Sequence, residues 1–329
     1  MKRMTMLALA SSVVTILSLA GQTQRVVGGN EGAKEKPRRL ERRGYTGPQV
    51  PVFIPVLGDY APIGARKESG RTDIPCLLSA LEKIGARDYF HLVWGAENYP
   101  GAWDDFALLA GEFQKRGWRL WLYLTPPSEP PAPEPFGADY GRWAEECAKL
   151  AAVYPCIAGI CIDDFNANVD TFTPAYCLEM MTRAHKIAPH LALLVVCYFG
   201  YYEDTISAHV QNGAIDGVVF PYFYPQKNHS DSSLLGPQIE AFRRWLDGQA
   251  RKGGLAGSMP LVVMVYAMKH SQSADEPTPA FVEKCLGIGL EATQKGLADG
   301  VVTYCLPKSD SSFIEAVARV YKGDGKKMI

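Results

Sequence analysis

The 329-residue chain has no excess of charge of either sign, because its 34 lysines and arginines are balanced by 35 aspartates and glutamates. The formal net charge of −1 argues against a broad electrostatic surface for nucleic acid. A neutral or carbohydrate-like ligand fits this balance better than a polyanion. With 47% hydrophobic and 21% charged residues, the composition is that of a soluble globular protein with a large core.

Metal-site motifs are also missing. The eight cysteines form no CxxC pair and no Cys/His cluster with zinc-site spacing, so the sequence predicts neither a metal nor a cofactor. Six of the cysteines fall inside predicted strands or on apolar helix faces, which favours buried free thiols. The sequence leaves one disulfide bond as an alternative. These six are Cys147, Cys161, Cys177, Cys197, Cys285 and Cys305.

Long apolar runs are absent beyond the N-terminus, so no later segment predicts a membrane span. Lys2 and Arg3 precede an apolar run over residues 6–20, and Ser18-Leu19-Ala20 offers small residues where a signal peptidase cuts. Polar residues interrupt the run, which is short for a membrane anchor. We therefore expect residues 1–20 to be a signal peptide and the mature protein to be secreted or periplasmic.

The remaining chain divides into three parts by composition. Residues 21–49 are rich in glycine and charged residues without apolar periodicity, which predicts a flexible basic linker. Residues 50–322 carry the regular apolar pattern of a folded domain, and residues 323–329 are a C-terminal tail. The oligomeric state stays open.

Eight short apolar segments recur along the folded part, each followed by a turn and an amphipathic stretch. They are mostly continuous apolar runs, as expected for a parallel sheet that is buried on both faces. The pattern predicts an α/β fold, a (β/α)8 TIM barrel. A doubly wound open sheet is the alternative, but no glycine-rich nucleotide loop follows the first strand. The predicted strands are residues 50–57, 88–94, 119–124, 157–165, 191–199, 215–222, 260–268 and 300–306.

In such a barrel the carboxyl ends of the strands form the functional face. Here those ends carry aromatic rings, carboxylates and a few bases, which suit the C–H faces and hydroxyls of a saccharide. The alternative is that the tyrosines only close the barrel, with their hydroxyls in water. The predicted substrate-binding residues are Asp59, His91, Trp94, Tyr198, Tyr222, Tyr224, Tyr266, Lys269, His270 and Tyr304.

The fourth segment, residues 157–165, ends in two adjacent carboxylates, Asp163 and Asp164. Neighbouring strand residues point to opposite faces, so with Cys161 inward Asp163 points into the barrel. Asp164 then points toward the helices or over the lip, which makes Asp163 the better candidate for chemistry. The alternatives are a structural carboxylate that caps a loop or pairs with a lysine, and a divalent-cation site.

Two segments carry a resemblance to a known family. Residues 158–165, Ala-Gly-Ile-Cys-Ile-Asp-Asp-Phe, resemble the fourth strand of secreted glycoside-hydrolase barrels, which reads glycine, alternating aliphatics and then acid. Residues 220–224, Phe-Pro-Tyr-Phe-Tyr, are similar to the sixth strand of those barrels, where a tyrosine helps position the sugar. The resemblance covers the whole barrel and implies a glycosidase fold.

The chain also departs from that family's patterns. Phe165 stands where a chitinase-like pattern has glutamate, and strand four lacks the asparagine–glutamate pair of many retaining glycosidases. Strand seven ends in Met268-Lys269-His270 without the usual glutamate. The resemblance is therefore to a poorly characterised glycosidase-like branch.

The leading hypothesis is a glycoside hydrolase that acts on an extracytoplasmic poly- or oligosaccharide. Such enzymes use two carboxyl groups, about 5 Å apart for retention and roughly 6.5–9.5 Å apart for inversion. Asp163 is the predicted nucleophile or base, and Glu129 or Glu203 is the predicted acid. Asp164 and Glu276 are further candidates for the second carboxylate.

Three competing hypotheses remain from the sequence. The missing strand-seven glutamate favours a non-catalytic carbohydrate-binding barrel. Asp163, Asp164 and His270 would serve a metal-dependent hydrolase or lyase. Lys269 or Lys308 would serve an aldolase-type Schiff base, which a tyrosine-rich secreted barrel makes the least favoured hypothesis.

Overall fold

The computed structural model describes residues 56–255 and 257–323, in which eight parallel strands close into one barrel in chain order. The predicted (β/α)8 fold is confirmed. The strands are β1 Val56–Tyr60, β2 Asp88–Val93, β3 Arg119–Leu124, β4 Ile157–Ile162, β5 Ala192–Val196, β6 Gly217–Pro221, β7 Leu261–Tyr266 and β8 Gly300–Tyr304. The predicted signal peptide, the linker and nearly all of the tail lie outside the described residues.

Helices surround the sheet. They are α1 Ile74–Ile84, α2 Ala102–Arg116, α3 Tyr140–Val153, α4 Pro174–His185, α5 Tyr202–Thr205, α6 Ser207–Gln211, α7 Leu235–Lys252, α8 Pro279–Gln294 and α9 Ser311–Lys322, with a short 3-10 turn at Phe165–Ala167. No helix in the described ranges is both long and apolar enough to span a membrane.

Two of the helix starts follow the chemistry expected of their sequence. Thr173 and Thr278 cap α4 and α8, and each hydroxyl accepts a hydrogen bond of 3.2 Å from the backbone N–H three residues later. Proline occupies the first helical position in both, where its missing N–H leaves no bond unmade. These caps fix where the loops after β4 and β7 end.

The apolar side chains form two layers, one inside the barrel and one between the sheet and the helices. The inner layer includes Phe90, Trp121 and Cys161, so the predicted inward direction of Cys161 is confirmed. All eight cysteines are free, and the six that were expected on apolar positions are buried.

Strand β1 differs from its prediction, because it continues to Tyr60 instead of stopping before Gly58. Gly58 lies inside the barrel, where a Cβ would come within 3.1 Å of the Asp88 Cβ and 3.2 Å of Val302. The glycine therefore permits close packing with the neighbouring strands and does not mark a turn. Consequently Asp59 lies within the strand and not in the loop that follows it.

Gly159 provides a stability test of strand β4. A Cβ there would lie 2.1 Å from the backbone oxygen of Ala192 in β5. We expect Gly159→Ala to lower the free energy of unfolding by about 3 kcal/mol or more, since backbone must move to relieve the overlap. The measurement is urea unfolding followed by circular dichroism.

Gly248→Ala is the matched control. Gly248 lies inside α7, and a Cβ added there would meet no other atom within 4 Å. Because alanine is the better helix former, this variant should be more stable by roughly 1 kcal/mol. Equal stabilities of the two variants would contradict the close packing of β4 against β5.

Candidate active site

Three carboxyl groups meet at the carboxyl ends of β3 and β4. Glu129 lies in the loop after β3, and Asp163 and Asp164 follow β4 directly. The Asp164 backbone N–H donates a 2.9 Å hydrogen bond to Asp163 Oδ1, and the Glu129 and Asp164 carboxyl groups share a hydrogen bond. Asp163 is buried, whereas Glu129 and Asp164 each keep part of their surface accessible. We call these three residues the carboxyl cluster.

Strand alternation predicts that Asp164 points toward the helices or over the lip of the barrel, and the structure turns it away from the helices. The strand ends at Ile162, and Asp164 adopts a left-handed conformation with φ 36° and ψ 39°. This backbone turn directs its carboxyl group back to Glu129 and Tyr198. The alternation rule fails here because it holds only inside a strand.

Left-handed backbone recurs at this end of the barrel. Ala61 follows β1 with φ 63°, and Cys305 follows β8 with φ 57°. Such conformations are costly for residues other than glycine and persist where the surroundings impose them. Both residues follow strands at the same end of the barrel as the carboxyl cluster.

The loop that carries Glu129 is tied to both neighbouring loops. The Asn168 side chain donates to Ser128 Oγ at 2.8 Å and to the Asp164 carbonyl at 2.9 Å. Its Oδ1 accepts a 3.1 Å hydrogen bond from the Ser128 N–H. On the other side, the Trp94 indole N–H donates to the Glu129 carbonyl at 3.0 Å. Asn168 and Trp94 therefore set the position of Glu129 relative to Asp164.

Burial raises the pKa of each group in the carboxyl cluster. The pKa of Glu129 lies well above its usual range, because burial and the charges of Asp163 and Asp164 all oppose ionisation. Burial and the charge of Asp164 raise the pKa of Asp163 to about 8. Burial also raises the pKa of Asp164, although hydrogen bonds from Tyr198 and Glu129 act in the opposite direction. Asp163 therefore retains its proton at neutral pH, and the hydrogen bond between Glu129 and Asp164 favours ionisation of Asp164 over that of Glu129.

Tyrosines form the floor of the mouth. Neighbouring ring centroids are 4.3 Å apart for Tyr60 and Tyr123, 4.9 Å for Tyr60 and Tyr304, and 4.5 Å for Tyr304 and Tyr266. The Tyr198 and Tyr266 hydroxyls are hydrogen-bonded at 3.0 Å. The buried Tyr123 hydroxyl lies close enough to lower the pKa of Asp163, but its geometry is not that of a full hydrogen bond.

Aromatic side chains at the rim stay partly accessible. Trp94 and Tyr99 are stacked with centroids 6.5 Å apart, and Tyr224 meets Tyr198 edge-on at 5.2 Å. These half-buried rings offer apolar faces beside the carboxyl cluster. The arrangement suits a ligand with both apolar C–H surfaces and hydroxyl groups.

The structure brings together eight of the residues named from the sequence. They are Trp94, Glu129, Asp163, Asp164, Tyr198, Tyr224, Tyr266 and Tyr304.

Three other named residues face the helix layer. Asp59 is buried with Lys308 at 2.5 Å and accepts a 2.7 Å hydrogen bond from Thr303. His91 donates from Nε2 to the Ala102 carbonyl at 2.9 Å, and Tyr222 donates to the Asp231 carbonyl at 2.8 Å. Asp59 and His91 belong to the outward set of their strands, which sequence inspection did not separate from the inward set.

The remaining candidates lie outside the carboxyl cluster. Glu203 on α5, Glu276 and Lys269 are exposed, and the Lys269 amine donates to the Ala274 carbonyl at 3.3 Å. The His270 ring packs against Phe223 at 3.9 Å. Burial and the neighbouring His229 and Lys227 lower the pKa of His270 to about 4. No group of three or more His, Cys, Asp or Glu side chains in the described ranges has the arrangement needed to hold a metal ion.

Sequence reasoning missed Tyr123 and Asn168. Tyr123 is two residues after the inward Trp121, so alternation along β3 was a signal that could have found it. Asn168 had no such signal, because it lies in an irregular loop and its partners Ser128 and Asp164 belong to two separate loop positions.

Asn168→Ala tests the positioning of Glu129. The change leaves the Ser128 N–H without its acceptor and removes one of the two donors to the Asp164 carbonyl, which also accepts from the Ala167 N–H, and this should cost about 1–3 kcal/mol of stability. The freed loop should also move Glu129 toward water and lower its pKa, measured by NMR titration of 13C-labelled carboxyl groups. Exposed Asn212→Ala is the control. A Glu129 pKa equal to that of the native protein would contradict the positioning role.

Asp163→Asn tests the raised pKa. The folded protein binds the Asp163 proton more tightly than the unfolded chain, so native stability falls as pH rises from about 4 to about 8. Asparagine does not ionise, so the variant should be more stable than the native protein at about pH 8 by at least about 1.4 kcal/mol, equivalent to one pKa unit. The difference should shrink toward about pH 4.

Urea unfolding at both pH values measures this difference, with exposed Asp170→Asn as the control for loss of one charge. A stability difference that does not change with pH would show that Asp163 ionises normally.

The sequence matches no protein-family model and no curated protein. In fold it is similar to a GH2 β-galacturonidase from Eisenbergiella tayi that was solved with galacturonate, with 10% identity and a TM-score of 0.53 over 84% of this chain. The chain spans about half of that protein, 52% of its length. It is also similar to a GH18 chitinase from Pseudoalteromonas aurantia, with 11% identity and a TM-score of 0.50, covering 80% of this chain and 99% of that one. At such identities the likeness shows the fold: a TIM barrel of the kind that glycoside hydrolases use.

Proposed function

We propose that this protein is a glycoside hydrolase that acts on a poly- or oligosaccharide outside the cytoplasm. The observation that carries the proposal is the meeting of Glu129, Asp163 and Asp164 at the carboxyl end of the barrel, with unequal tendencies to ionise. Paired carboxyl groups that differ in this way are what glycosidic hydrolysis requires. The location follows from the signal peptide that the sequence predicts over residues 1–20.

Glu129 is suited to be the general acid. Burial and two neighbouring carboxyl groups raise its pKa well above its usual range, so it keeps its proton to a higher pH than an ordinary glutamate does. It is partly accessible, as a group that must reach a glycosidic oxygen needs to be. Its hydrogen bond with Asp164 keeps that proton in place and orients the carboxyl group.

Asp163 is suited to be the nucleophile or base at pH values near 8 and above, where it has lost its own proton. It points into the barrel between Tyr123 and the Asp164 N–H, whose effects favour its charged form. Asp164 is the positioning residue in this scheme, because it contacts both other carboxyl groups. The rim rings of Trp94 and Tyr224 would stack on the sugar.

The roles are tested by assay of the native protein on a panel of poly- and oligosaccharides, with release of reducing ends as the measurement. Glu129→Gln and Asp163→Asn should each lower kcat about 100-fold or more, since both remove proton transfer or attack while preserving shape. Glu315→Gln, an exposed acid on α9, is the matched control and should behave as native.

The pH profile gives a further check on the same panel. Activity should fall at alkaline pH as Glu129 loses its proton, because its pKa is raised. Full activity of both carboxyl variants would overturn the assignment. Binding of a saccharide without release of products would instead identify a carbohydrate-binding barrel.

A further inference from the structure

The carboxyl cluster lacks a positive partner, unlike the other buried ion pairs of the barrel. No lysine or arginine in the described ranges lowers the pKa of Glu129, Asp163 or Asp164. Three other buried carboxylates contact cations directly. The pairs are Asp59 with Lys308 at 2.5 Å, Asp88 with Arg119 at 2.7 Å and Asp105 with Arg71 at 2.6 Å.

The cations described near the mouth are engaged at its rim. Lys227 lies over the Tyr224 ring, with its amine 5.1 Å from the centroid, and Arg66 lies over the Tyr99 ring at 4.3 Å. Lys269 is exposed and donates to a loop carbonyl. None of these three supplies the charge that would balance the carboxyl cluster.

The surroundings of the cluster also favour a cation over an anion. The neighbours beneath Asp163 are tyrosine rings packed against one another, so they bring no positive charge to the cluster. The Tyr123 hydroxyl is fully buried beside Asp163 and makes no hydrogen bond of ordinary geometry, so an acceptor or a donor group remains available there. A sugar carboxylate placed here would meet three acids and no compensating charge.

On the basis of the proposed function, we infer that the sugar residue bound against Glu129, Asp163 and Asp164 is an amino sugar with a free, protonated amine. The ammonium group supplies the missing positive partner and donates hydrogen bonds to the carboxylates. An acetylated amine or a hydroxyl has the same place on the ring but carries no charge.

The test compares ligands that differ only in that substituent. The native protein is titrated by calorimetry with β-1,4-linked oligosaccharides of glucosamine, N-acetylglucosamine and glucose, and with the corresponding galactosamine, N-acetylgalactosamine and galactose series. The amine-bearing member of at least one series should bind about tenfold tighter or more than both of its counterparts.

Proton release distinguishes this recognition from a general attraction. At about pH 5 the amine of an amino sugar is already charged, so it takes up almost no proton on binding. An ammonium group beside the cluster lowers the pKa of the carboxyl groups and should drive protons into solution. The release is measured by repeating the titration in two buffers of different ionisation enthalpy, and the uncharged sugars should release none.

Two variants test whether the preference for the amine-bearing sugar depends on the carboxyl cluster. Asp164→Asn preserves the left-handed backbone, which asparagine tolerates well, and should remove most of the preference for the amine. Asp170→Asn removes an exposed acid from the same loop and should keep that preference. Equal preference in both variants would overturn the inference.

The outcomes separate this inference from the proposed function. Binding and cleavage of a hydroxyl or acetamido series without preference for the amine would overturn the amino-sugar inference and leave the hydrolase proposal standing. Binding of the amine series with proton release but without cleavage would support the inference and overturn the hydrolase. No binding in any series would overturn the inference.

Discussion

The pairing of β3 with β4 is the interaction on which the candidate site depends. The two strands end level, with Leu124 opposite Ile162, and the Asp163 N–H then donates to the Leu124 carbonyl at 3.0 Å. This last bond of the ladder holds Asp163 at the mouth, while the chain beyond Leu124 turns through prolines to bring Glu129 back over it. Two loops that are far apart in sequence thereby deliver three acids to one place.

That convergence is unfavourable for stability. Three carboxyl groups are removed from water beside one another, and their raised pKa values express that cost. Asp164 adds a left-handed backbone conformation. The barrel tolerates these features because the rest of it is regular. Strand β4 packs closely against β5 at Gly159, and hydrogen bonds from Asn168 and Trp94 fix the loops that carry Asp164 and Glu129. Structures concentrate strain in this way where function requires it.

The fold was largely predictable from the sequence because its signals are local. Apolar runs separated by amphipathic stretches identify strands and helices, and the Thr-Pro starts of α4 and α8 follow from capping chemistry alone. The end of β1 was not predictable in this way. Gly58 resembled a strand end, whereas its role depends on how closely Asp88 and Val302 approach it from neighbouring strands.

In the candidate site, too, local sequence rules identify some residues and only tertiary contacts identify the others. From the sequence alone, Asp163 could be assigned to the barrel interior, because alternation from Cys161 is a local rule. The sequence could not separate Glu129 from Glu203, since both lie in loops and only the closed barrel decides which loop bends over Asp163. Nor could it show that Asp164 turns inward or that Asn168 joins two loops, because both depend on contacts between distant segments. Strand order and the inward face are thus properties of the sequence pattern, whereas the grouping of three acids and their protonation are set by tertiary contacts and burial.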